Sequence, residues 1–178
     1  MTEVPALVMG PTDRPLWEET VGGLMDRVAA RHPDRLAVVF CEQGRPDRTW
    51  TYREFVRDSR RLARNLLERF EPGENIAVWS PNSAAWVLLQ HAAARAGLRL
   101  VTVNPAYLAA ELEYVLRQSR SVGLFHMSRY RGTDTSAIAR EVAGRVGGLR
   151  HVLVLDDVEH EHVDRKSTRL NSSHLVIS

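Results

Sequence analysis

The chain has 178 residues, 44% of them hydrophobic and 26% charged, a balance that suits one ordinary domain and argues against a disordered polymer. No stretch reaches the ~20 apolar residues of a membrane helix, and a single cysteine, Cys41, excludes an intrachain disulfide framework. The net charge of +2 comes from the last fifteen residues, where Arg165, Lys166 and Arg169 face Asp164 alone; residues 1–163 are neutral, without the electrostatic footprint of a nucleic-acid binder.

Met1 to Glu19 reads as an irregular lead-in with three prolines and no basic leader before an apolar run, so the expected location is cytoplasmic. Val21, Leu24, Met25, Val28 and Ala29 recur at helical spacing, with Thr20 to cap the start and Pro33 beyond the end. Leu36 to Phe40 is a short apolar strand, and Arg48 to Thr51 makes a second one for a hairpin. Cys41 then reads as a small buried side chain at a strand end. Thr51 to Glu54 is a capping-box signature. Behind it, Tyr52, Phe55, Val56, Leu62, Ala63, Leu66, Leu67 and Phe70 form one apolar stripe, opposite a charged face expected to be solvated.

From Ile76 the pattern becomes β-α-β. Strands are expected at 76–79, 100–103, 122–125 and 152–155, and helices at about 83–96, 109–119 and 135–146. The helix after Ser83 is apolar on nearly all sides and should be buried. Strands separated by such helices imply a parallel sheet with right-handed crossovers, hence an α/β fold.

No GxGxxG or GxxxxGK[ST] phosphate loop is present, and Gly147-Gly148 reads as a helix stop. Ser80 to Ser83 joins a strand end to a helix start, a place that can hold an anion; capping by Asn82 or Ser83 is the simpler reading. Asn104-Pro105-Ala106-Tyr107 follows another strand end, where α/β proteins place ligands, although a rigid turn with a packed tyrosine is the reading the sequence favours. Asp156, Asp157, Glu159, His160, Glu161 and His162 are metal-ligand types without a partner cluster, and read as a solvated acidic loop. His91, inside the apolar helix, reads as a core histidine. No catalytic, cofactor-binding or metal residue is assigned.

Val103-Asn104-Pro105-Ala106-Tyr107, then Glu111-Leu112, Tyr114, Leu116 and Ser119, resembles the VNPxYxxxELxYxLxxS segment of fatty-acyl-CoA synthetases. Gly73 to Ser83 is similar to that family's strand and turn before its buried helix, Trp50 to Phe55 to its WTYxE helix entry, and Val21 to Phe40 to its opening helix and strand. The resemblance implies the N-terminal part of the large domain of adenylate-forming enzymes, a mostly parallel sheet flanked by helices. It implies a parent protein that activates a fatty or related carboxylic acid with ATP and magnesium, then transfers the acyl group to coenzyme A. A carrier-protein-loading adenylation domain and a non-catalytic α/β binding module are the alternatives. The family's phosphate loop and catalytic lysines have no counterpart in residues 1–163, so the piece by itself is expected to be inactive and to bind no cofactor.

Asp164 to His174 resembles the translation of a common short-read sequencing adapter, and it brings the chain's only lysine, Lys166. The natural sequence is therefore expected to span residues 1–163, with 164–178 an artefactual tail.

Overall fold

The computed structural model describes residues 10, 11, 13, 18–42 and 45–155. Helix α1 (Val21–Arg31) begins where the Thr20 hydroxyl accepts the Gly23 amide at 3.0 Å, and stops at His32. Strands β1 (Leu36–Glu42) and β2 (Arg45–Thr51) form an antiparallel hairpin with Val38 opposite Trp50 and Phe40 opposite Arg48. Helix α2 (Tyr52–Leu67) opens with the expected capping box: Thr51 Oγ1 accepts the Glu54 amide at 3.3 Å, and Glu54 Oε2 accepts the Thr51 amide at 2.9 Å.

The rest of the described chain alternates strand and helix: β3 (Asn75–Trp79), α3 (Ala84–Arg95), β4 (Arg99–Val103), α4 (Ala109–Ser119), β5 (Gly123–His126), a two-rung hairpin of β6 (Arg129–Tyr130) and β7 (Thr133–Asp134), α5 (Thr135–Ala143) and β8 (His151–Val154). The four longer strands make one parallel sheet in the order β4-β3-β5-β8. Successive side chains along a strand point to opposite faces, so a sheet covered on both sides needs continuously apolar strands. Thus Ile76, Val78, Phe125 and Leu153 pack against α2 and α3 on one face. Ala77, Trp79 and Leu124 pack against Leu112 and Leu116 of α4 and Ala139 and Val142 of α5 on the other. A third cluster seats the β1-β2 hairpin through Trp50, Val38 and Phe40 on Phe55, Ala84 and Leu88.

The structure departs from the sequence reading at several places. Cys41 is exposed: the two-stranded hairpin buries one face only, and Cys41, next after half-buried Phe40, falls on the other. The charged side of α2 is not all solvated, because Asp58 and Ser59 are buried; the hairpin and α3 cover that side. Leu67, placed in the apolar stripe, is exposed in the last turn. Helix α5 ends at Ala143, not Val146, since Gly144 caps it, and Gly148 takes φ +95° in the turn leading to β8. The acidic residues 156–162 and the proposed tail lie outside the described residues.

Candidate functional site

The strand order fixes where a ligand would meet this sheet. Chain progression runs from β3 outward to β4, then returns across β3 to β5 and on to β8, so the direction reverses between β3 and β5. Helix α3 lies on one face and α4 and α5 on the other. In open α/β sheets, ligands bind beyond the carboxyl ends of the strands at this switch point.

Three loops gather there. After β3, the Ser80 hydroxyl donates to the Pro81 carbonyl at 2.8 Å, and Ser83 Oγ caps α3 by accepting the Trp86 amide at 3.1 Å. Ser83, not Asn82, is therefore the cap, and the Ser80 and Ser83 hydroxyls are spent on the turn itself. After β4, Asn104 Oδ1 accepts the Ala106 amide at 3.0 Å, and the Asn104 carbonyl accepts the Tyr107 amide at 3.0 Å. This is the rigid turn expected of Asn-Pro, with Tyr107 half-buried against the α4-α5 core. Helix α4 starts at Leu108, which offers no side-chain oxygen to its first amides; Glu111 Oε2 takes only the Leu108 amide, at 2.8 Å.

After β5 comes the β6-β7 hairpin, which sequence reasoning missed. Arg131 (φ 46°) and Gly132 (φ 85°) form its tight turn, with positive φ at both central positions as two-residue hairpins favour. The Arg131 guanidinium stands 5.3 Å from the Tyr130 ring centroid. Asp134 caps α5 by accepting the Ala137 amide at 2.9 Å, and the Thr135 hydroxyl donates to the Met127 carbonyl.

Between the second and third loops lies a cavity of about 150 Å³ lined by Trp79, Pro105, Tyr107, Tyr130, Arg131 and Thr135, among others. Ligand pockets that enclose a small molecule run to roughly 300–1,000 Å³, so this one supplies a wall for a ligand rather than an enclosure. Its chemistry suits an anionic or acceptor-rich group: an arginine, a helix start without a side-chain cap, and hydroxyls. The Trp79 indole N–H is buried without a hydrogen-bond partner among the described residues.

His91 is half-buried rather than fully in the core, with its ring edge-on to Phe55 at 4.8 Å and Nδ1 3.0 Å from the Val87 carbonyl. Among the described residues no three His, Cys, Asp or Glu side chains converge as a metal site requires, so none is assigned to magnesium. No helix of the described residues is long and apolar enough to cross a membrane.

The profile of the AMP-binding enzyme family matches residues 25–174. The chain belongs to that family. This AMP-binding chain is 40% identical over 122 residues to YngI of Bacillus subtilis (strain 168), an acyl-CoA synthetase by name, covering 67% of this chain and 21% of that protein. It is 37% identical over 136 residues to the mitochondrial medium-chain acyl-CoA ligase ACSF2 of Rattus norvegicus, covering 76% and 22%. Its fold matches the crystal structure of a long-chain-fatty-acid-CoA ligase (FadD1) from Archaeoglobus fulgidus at a TM-score of 0.72, with 21% identity, over 86% of this chain and 32% of that one. The AMP-binding chain thus spans about a fifth of the length of these curated relatives.

Proposed function

We propose that this chain is the N-terminal part of an ATP-dependent acyl-CoA ligase acting in the cytoplasm on a fatty or related carboxylic acid. In the first step a carboxylate oxygen attacks the α-phosphorus of ATP, and the bond to pyrophosphate breaks. In the second, the coenzyme A thiolate attacks the acyl carbon, and AMP leaves with the bonding electron pair. Every participant is anionic, so such a site must offer fixed donors and positive charge. The cavity between the loops after β4 and β5 contributes one arginine, hydroxyls and a helix start to that requirement; the phosphate loop and lysines would belong to the remainder of the parent protein. The observation carrying this reading is the 37% identity, across 76% of the chain, to a protein named as a medium-chain acyl-CoA ligase.

The test is to recover the coding sequence beyond Val163, express the complete protein and supply ATP, magnesium, coenzyme A and a series of carboxylic acids. Acid-dependent pyrophosphate release followed by thioester formation is the expected result, with none from the 178-residue chain alone. A complete protein without a glycine-rich phosphate loop would end the proposal. Acyl-adenylate that passes only to a carrier-protein thiol would favour an adenylation domain instead.

A further inference from the structure

Helix α1 is attached differently from its neighbours. None of its eleven residues is buried, whereas α2, α3, α4 and α5 each bury two or more. Its first turn contains Gly22 and Gly23, the poorest helix formers after proline, and it is shorter than the ~12–15 residues an isolated helix needs. Its helicity therefore depends on docking.

The dock is mostly polar. Asp26 accepts from Arg95 at 2.5 Å through Oδ1 and from Arg60 at 2.7 Å through Oδ2. Arg95, only 10% exposed, also donates from Nε to Ser59 Oγ at 3.0 Å. A Cβ on Gly22 would come within 3.1 Å of Arg95 Cγ, so the glycine lets α1 sit directly on the arginine stem. Met25 adds a partly buried apolar contact with the hairpin cluster. Beyond the helix the chain is pinned, since the Arg35 and Pro33 carbonyls accept the Tyr52 and Arg53 amides at 2.9 and 3.0 Å. The break between the two regions is His32, non-helical at φ −137°, followed by Pro33.

We propose that α1 is a latch that docks and unfolds as one unit, hinged at His32-Pro33 and keyed by Asp26 between Arg60 and Arg95, while the parallel sheet stays folded. Opening uncovers the Arg95 guanidinium beside Ser59 and releases the already exposed Arg60, which the Asp26 carboxylate bridges to Arg95 when the latch is shut.

Hydrogen exchange on the 178-residue chain, followed by mass spectrometry, tests this. The amides of Met25 to Arg31 are expected to exchange at least about tenfold faster than those of β3 and β5. Asp26→Asn should accelerate α1 by a further severalfold and leave β3 and β5 unchanged. Asp34→Asn, which removes only the exposed pair with Arg53, should leave α1 as in the wild type. Equal protection of α1 and the sheet in the wild type would overturn the proposal, and so would an Asp26→Asn effect spread evenly over both.

Discussion

Asp58 lies under the β1-β2 hairpin with Oδ2 on the Trp50 indole N–H at 3.0 Å and Oδ1 on Arg57 Nε at 2.9 Å. Burial opposes its ionisation, but the hydrogen bonds from Arg57 and Trp50 outweigh that, and its carboxyl is held below the ordinary value of 3.8. Asp58→Ala leaves the Trp50 donor buried without an acceptor, at an expected cost of about 1–3 kcal/mol. Asp58→Asn keeps an acceptor and should cost less. Urea denaturation measures both, and an alanine variant as stable as wild type would show that the carboxylate does not hold the hairpin down. Gly123 is a second single-atom dependence: a Cβ there would sit 2.6 Å from Phe70 Cζ, inside the core. Gly123→Ala should cost about 1–3 kcal/mol through overpacking, and Phe70→Leu in the same chain should recover part of it. Neither residue was legible in the sequence. Asp58 falls on the polar side of a regular amphipathic pattern, which records the helix's main apolar face but not a hairpin folded over its flank. Gly123 looks like any glycine within a short strand until Phe70 is placed in space.

At the scale of elements, what could be read was what is encoded locally. Thr51 and Glu54, Ser83, and Thr20 all mark helix starts within three or four residues of themselves, and each makes the predicted hydrogen bond. The parallel strands could be read because both of their faces are covered, which leaves continuous apolar runs. The β6-β7 hairpin could not: its strands are two residues each, and its turn puts arginine, rather than asparagine or glycine, at a positive φ. The same conformation occurs at Arg120, which ends α4 at φ 51° and ψ 41°. A side chain there pays a steric cost that glycine does not. Among the described residues the Arg120 side chain makes no hydrogen bond or ion pair that would offset it, so Arg120→Gly is expected to raise stability by about 0.5–1 kcal/mol. A lower urea midpoint in that variant would mean the arginine side chain is holding α4 in place.

Across the whole molecule, the titrating groups divide stability into two pH windows. The carboxyls of Asp26, Asp58 and Glu74 all lie below their ordinary values of 3.8, 3.8 and 4.5, each held by arginine partners. Their contribution is fully present above those values and is lost as pH falls through the lowered ones, because the unfolded chain takes up protons first. His151 acts higher. It opens β8 with its ring edge-on to Phe70 at 5.1 Å, and burial, then the neighbouring charges of Arg150 and Arg69, lower its pKa from 6.5. The folded state keeps this imidazole neutral while the unfolded chain protonates it, so stability is complete above 6.5 and declines as pH drops from there towards the folded-state value. Thermal melts of the wild type should therefore begin to fall just below pH 6.5, well before the carboxyl range. In His151→Gln that first decline should be reduced, while the acidic one persists through the Glu74–Arg150 pair, joined at 2.6 Å across the base of the sheet. An unchanged first decline in the variant would assign it to another histidine.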